Sequence, residues 1–114
     1  MKHMFRMGCV VVLILGASAV ASAQDQAQVD AGQKAFAAQK CSICHSIAGQ
    51  GNKKGPLDGI GSTLSADDIR QWLMNAPEMA AKIKAERKPA MKAYATLPKA
   101  DLDGLVTYLS SLKK

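Results

Sequence analysis

The chain has 114 residues, a formal net charge of +6, three cysteines and only 4% aromatic residues. That length supports one domain, and the few aromatics, without a dense arginine patch or a recognised fold signature, exclude a nucleic-acid binder. A basic surplus of this size suits an encounter with an acidic protein surface.

Residues 1–23 read as a cleaved secretory signal. Lys2 and Arg6 form the charged start, Val10-Val11-Val12-Leu13-Ile14-Leu15 the apolar centre, and Ala21-Ser22-Ala23 the small-residue cleavage site. The apolar stretch over 8–20 falls short of the roughly 20 residues that span a bilayer, so no permanent membrane anchor is expected. Cys9 precedes the apolar run instead of sitting at the cleavage site, which argues against lipid attachment and leaves it as filler of the signal. The remainder, 24–114, carries 13 basic against 9 acidic residues and is near the size at which an apolar core alone is only marginally stabilising. It contains no internal repeat or low-complexity block, and β-branched alternation is scarce, so the fold class reads as all-α.

A first helix is expected over about 29–40, with Val29, Gly32, Ala35 and Phe36 on one face. Glycine is costly inside a helix, and Gly32 therefore implies that another backbone passes close by. Cys41-Ser42-Ile43-Cys44-His45 follows, the C-x-x-C-H pattern of a c-type haem site. Two thiols about one helical turn apart can add to the two vinyl groups of one haem, and the next residue brings its imidazole under the iron. A thioredoxin-like dithiol needs a βαβ pattern that is missing and has no use for His45. Zinc needs a second pair of ligands, and the only other histidine and cysteine, His3 and Cys9, lie in the segment expected to be removed. Export implies an oxidising compartment, yet a disulfide closing so small a loop is strained and leaves His45 unexplained. A buried haem supplies the core that the short chain lacks.

Residues 49–61 are glycine-rich and aperiodic, a loop that wraps and can follow the haem edge. Within it Pro56 follows a glycine about ten residues after His45, and its carbonyl is a candidate acceptor for the second imidazole N–H; the alternative is an ordinary turn proline. Ser65-Ala66-Asp67-Asp68 is a capping box in acidic form, after which Ile69, Trp72, Leu73 and Ala76 line one helical face. Pro77 either ends that helix or opens a second one through Met79 and Ile83.

Residues 84–98, with Pro89 and Pro98 around Met91 and Tyr94, read as an irregular loop. An iron bound by one histidine needs a sixth partner if it is to exchange electrons without binding small ligands, and a thioether is soft and favours the reduced ion. Met91 is the candidate, because a side chain of this loop can reach the haem face opposite His45. Met79 and Met74 compete for the role, each with a ready place in helical packing, and an open sixth site is the remaining alternative. Trp72 and Tyr94 are core aromatics or direct a polar tip at a haem propionate. Lys53, Lys54, Lys82, Lys84, Arg87, Lys88 and Lys92 are either plain solvated charges or a group that turns the haem edge toward an acidic partner. A last helix over about 99–112 places Leu102, Leu105, Val106, Leu109 and Leu112 on one stripe, with Asp101 and Asp103 in its first turn and Lys113 and Lys114 at its end, charges that suit the helix dipole.

With C-x-x-C-H at 41–45, Gly55-Pro56-Leu57, Met91 and Leu105-Val106-Thr107-Tyr108-Leu109 in place, the chain resembles the monohaem class I cytochrome c family in its short bacterial form. The likeness extends over nearly all of 24–114 and implies four to five short helices wrapped around one haem c. It further implies thioether bonds at Cys41 and Cys44, His45 and Met91 as axial ligands of the iron, and a helix crossing of Gly32 and Phe36 against Leu105, Tyr108 and Leu109. The implied function is a periplasmic electron carrier, monomeric, with no substrate turnover of its own and with redox proteins as donor and acceptor. A haem subunit held permanently in a larger oxidoreductase is the alternative. A ligand-binding or peroxidatic protein is disfavoured by Met91 and by the lack of any histidine but His45 after residue 23. Two departures stand out: Lys92 follows Met91 where many members have proline, and Pro98 opens the final helix where a serine or threonine often caps it.

Overall fold

The computed structural model describes residues 17–114, with side chains from Asp25 onward; the charged start and apolar centre of the expected signal lie outside the described residues. Helix α1, Ala17–Ala38, begins well before residue 29. Between Ala17 and Gly32 there is neither proline nor glycine, and the alanine-rich run has high helix propensity, so nothing interrupts it. The small residues at 21–23 therefore lie inside a continuous helix. Lys40, in the left-handed conformation with φ 56° and ψ 39°, turns the chain out of α1 and into a 3-10 turn at Cys41–Ile43.

The loop expected over 49–61 contains short regular pieces. Strand β1, Ser46–Ile47, pairs antiparallel with β2, Gln50–Gly51, in the register Ser46 to Gly51 and Ile47 to Gln50. The two connecting residues, Ala48 and Gly49, both have positive φ, 52° and 78°, the backbone demanded by the tightest hairpin turn. Helix α2, Ile60–Thr63, follows, entered through Gly59 at φ 77°.

Helix α3, Ala66–Met74, starts on the expected capping box: the Ser65 hydroxyl accepts from the Asp68 amide at 3.1 Å, and the Asp68 carboxylate accepts from the Ser65 amide at 3.3 Å. Pro77 sits in the first turn of α4, Ala76–Lys82, and so opens a second helix. Residues 83–98 form the irregular loop, and α5, Lys99–Ser110, closes the chain with Pro98 at its N-cap and no side-chain acceptor there.

The core forms where α5 meets α1 and α3. Leu102, Leu105, Val106 and Leu109 of α5 are buried with Ala35 of α1 and with Ile69 and Leu73 of α3. Gly32 of α1 lies against the backbone of Gly104 of α5; a Cβ at Gly32 would collide with the Gly104 carbonyl and stand 2.5 Å from Tyr108 Cβ. Phe36 and Tyr108 meet edge to face beside this crossing, with centroids 6.1 Å apart and planes at 83°. Two glycines thus make the crossing where one was read from the sequence.

The charges at the ends of α5 differ from expectation. Only Asp101 lies in the first turn near the N-terminal dipole. Asp103 pairs with Arg70 of α3 at 2.9 Å and with Lys99 at 2.5 Å. Lys113 and Lys114 lie beyond the helix and clamp α2: Lys113 Nζ donates to the Gly61 carbonyl at 2.7 Å, and the Lys114 amide donates to the Ser62 hydroxyl at 2.9 Å.

Hydrogen bonds from Lys99, then Arg70, hold the Asp103 carboxyl below its ordinary value. Because the folded value is depressed, the stability from Asp103 is present above the unfolded carboxylate pKa and disappears as pH falls through the folded value. Asp103→Asn should therefore unfold at a lower urea midpoint than the parent at neutral pH. The two midpoints should converge in acid below both values.

Candidate functional site

The 3-10 turn sets the geometry of the motif. The amides of Cys44 and His45 both donate to the Cys41 carbonyl, at 3.1 and 2.9 Å, so Cys41, Cys44 and His45 all border one cleft of about 770 Å³. Asn52, which the sequence reading passed over, holds this turn from outside. Its amide donates to the carbonyls of Ser42 and His45 at 3.0 and 3.1 Å, and its side-chain Nδ2 to the Ile43 carbonyl at 3.0 Å. Asn52→Ala should cost about 1 kcal/mol, the usual net worth of one such bond, read as a lower urea midpoint.

Both thiols are free and half-buried. Burial, more than the neighbouring Cys44, pushes the Cys41 thiol above its ordinary value, which keeps it protonated near neutrality. The His45 ring is half-buried, and Nδ1 lies 3.0 Å from the Gly55 carbonyl. A carbonyl only accepts, so Nδ1 carries the proton and Nε2 is left bare. Burial lowers the His45 pKa, opposed by the Gly55 hydrogen bond and assisted by the Arg87 charge, and the neutral ring is the form that binds a metal.

The acceptor is thus Gly55 and not Pro56. Ser46 and Pro56 form an isolated parallel bridge, in which the Ser46 amide donates to the Gly55 carbonyl at 3.1 Å and the Leu57 amide to the Ser46 carbonyl at 2.8 Å. That register turns the Gly55 oxygen toward 45–46. Pro56 is exposed and lies outside the cleft lining, so its part is that of a turn residue.

Across the cleft stands the 83–98 loop. Met91 is half-buried, packs against the core and lines the cleft. Met74 packs against the same core without reaching the cleft, and Met79, also half-buried, does not line it either. The loop is tied to α3 three residues beyond Met91, where the Tyr94 amide donates to the Leu73 carbonyl at 2.7 Å. Trp72 and Tyr94 both line the cleft. Burial raises the Tyr94 pKa, and the two cysteines add to this, so the phenol remains a neutral donor.

The basic residues divide. Arg87, Lys88 and Lys92 line the cleft, as does Lys40, which the sequence reading did not single out; Lys53, Lys54, Lys82 and Lys84 are exposed and stand off it. The Lys92 ammonium lies 5.1 Å from the centre of the Tyr94 ring, a cation–π distance. Arg87 is bound inward, Nη2 donating to the Cys44 carbonyl. Ile43 and Ile83, also unanticipated, are 66% and 65% exposed although they line the cleft.

The residues present fit a covalently held haem. Two free thiols, an imidazole with one bare nitrogen and a thioether border one cleft whose inner walls are Leu57, Ile69, Leu73, Leu105 and Leu109. The volume lies in the range of small-molecule and cofactor sites. Among the described residues no cluster of three or more His, Cys, Asp or Glu could hold a bare metal ion. No helix among them is long and apolar enough to cross a membrane.

The cytochrome c family model matches residues 29–113. No curated protein and no solved structure gives a significant match.

Proposed function

Because this chain belongs to the cytochrome c family, whose members bind haem c covalently and use its iron for electron transfer, we propose that it is a soluble one-electron carrier of the periplasm, ligated by His45 and Met91. The observation that carries this reading is that the C-x-x-C-H motif and Met91 border the same apolar cleft, whereas Met74 and Met79 do not. The bound haem supplies a one-electron Fe(III)/Fe(II) couple.

In this reading the Cys41 and Cys44 sulfurs hold the haem through thioether bonds. His45 presents Nε2, oriented through the Nδ1 hydrogen bond to Gly55, which also makes the ring a better donor. Met91 offers a neutral, soft sulfur that favours the reduced ion. Leu73, Leu105 and Leu109 keep the inner wall dry, and a low-polarity wall disfavours the more highly charged oxidised state. Trp72 and Tyr94, which line the cleft, would offer N–H and O–H donors to the propionates. His45 and Met91 would together hold the iron from the protein, which would leave it no place for a substrate and make the protein a carrier without turnover of its own.

Residues 1–23 act as the export signal in this proposal, and the carrier works as a monomer. Arg87, Lys88 and Lys92 at the cleft, with Lys53 and Lys54 on the 52–55 turn, face an acidic donor or acceptor. The alternative, a haem subunit fixed in a larger complex, draws support from exposed Ile43 and Ile83, which suit a permanent apolar contact.

Stopped-flow electron transfer to the physiological partner separates the two. Rim charges act mainly on encounter, over a Debye length of ~10 Å at 0.1 M salt. The rate of a diffusing carrier should fall as ionic strength rises. Lys88→Glu together with Lys92→Glu should slow it several-fold at low salt and leave the haem spectrum unchanged. Rates indifferent to salt and to the double substitution, with co-purification of a catalytic chain, would establish the subunit instead.

A further inference from the structure

We propose that Arg87 is a positioning residue that fixes an uncompensated positive charge beside His45 and thereby raises the reduction potential of the haem. The inference rests on the His45 and Met91 ligation proposed above.

The guanidinium donates through Nη2 to the oxygen of the Cys44–His45 peptide, the bond that leads directly into the ligand residue. Its other terminal nitrogen, Nη1, lies where a side chain at Gly55 would have to go, so Gly55 leaves the space that Arg87 fills. Gly55 also supplies the carbonyl that orients His45. One small segment therefore seats both the imidazole and the cation.

What distinguishes Arg87 is that it combines an unpaired charge with a hydrogen bond to the peptide that leads into His45; Lys92, also without an ion pair, is held over the Tyr94 ring instead. The partner of Arg87 is a neutral carbonyl. The ion pairs among the described residues are Arg70 and Lys99 with Asp103, and none involves Arg87. Arginine suits the role because its guanidinium is always charged and its planar fork is held by few bonds. Lys53, Lys54, Lys84 and Lys88 are exposed and make no side-chain bond among the described residues.

The field of Arg87 disfavours the ferric state. Reduction adds one electron to the iron, lowers its charge by one, moves no proton and makes or breaks no bond. A fixed cation nearby therefore stabilises the reduced form relative to the oxidised. Arg87 is exposed, so solvent and salt screen it, and the effect is several-fold rather than thousands-fold.

The test is the midpoint potential of the wild type, Arg87→Gln and Arg87→Lys holoproteins, with the sulfur-to-iron charge-transfer band recorded for each. Arg87→Gln should retain the band and show a potential lower by a three- to tenfold change in the oxidised-to-reduced ratio at fixed poise, tenfold being about 59 mV for one electron. Arg87→Lys, which keeps the charge, should recover more than half of that shift. An unchanged potential in Arg87→Gln, loss of the band in that variant, or an equal fall in Arg87→Lys would overturn the proposal. A wild type that itself lacks the band defeats the ligand reading before any variant is compared.

Discussion

Met91→Ala should abolish the weak long-wavelength sulfur-to-iron band of the oxidised protein, while Met79→Ala and Met74→Ala keep it. Met91 is the methionine whose side chain both packs against the core and lines the cleft that His45 borders. In the proposed ligation the substitution removes a soft neutral ligand that favours the ferrous ion. The potential should therefore fall by a sizeable part of the ~0.8 V range that axial ligands command. Carbon monoxide, excluded from the parent, should bind the reduced variant readily. Retention of the band in Met91→Ala and its loss in Met79→Ala would move the ligand to α4, and the 83–98 loop would then need another role.

Gly32→Ala should be severely damaging for a single added methyl. The added Cβ would occupy the place of the Gly104 carbonyl and press on Tyr108 Cβ, and both belong to the α5 backbone or its root, not to the far end of a flexible side chain. The helices would have to separate, and separation would open the Phe36–Tyr108 contact and expose Ala35 and Leu105. Overpacking a core typically costs about 1–3 kcal/mol, occasionally more, and this site belongs at or above the upper end. A domain of this size has roughly 5–10 kcal/mol to lose. Holoprotein yield and urea midpoint should both fall sharply, whereas Gly49→Ala, at a position with open space around it, should lose only the cost of its positive φ.

What could be read from the sequence was local, and what could not was paired at a distance. The Ser65 capping box, the α5 stripe and the C-x-x-C-H turn each lie within a few residues, so composition and spacing define them. Gly32 announced a close approach, since a helix tolerates glycine poorly, but only the fold identifies Gly104 as its counterpart. Asn52 and Arg87 reach carbonyls 9 and 43 residues away, and an asparagine in a loop or an arginine among lysines carries no mark of its partner. The acceptor for His45 lies one peptide before Pro56, because the Ser46 to Pro56 register that turns the Gly55 carbonyl toward His45 is a tertiary fact. Helix α1 begins earlier than the apolar face of Val29, Gly32, Ala35 and Phe36 indicates, because the alanine-rich run before residue 29 continues the helix without an apolar face of its own.

The central claim is that Cys41 and Cys44 hold one haem covalently, and the mass of the protein purified from cells competent in cytochrome maturation tests it most directly. The expected mass is that of the polypeptide from residue 24 plus a single haem, retained under denaturation, with Cys41→Ala or Cys44→Ala greatly reducing the yield of folded holoprotein. A mass equal to the bare polypeptide, in cells that mature other c-type haem proteins, would contradict the account.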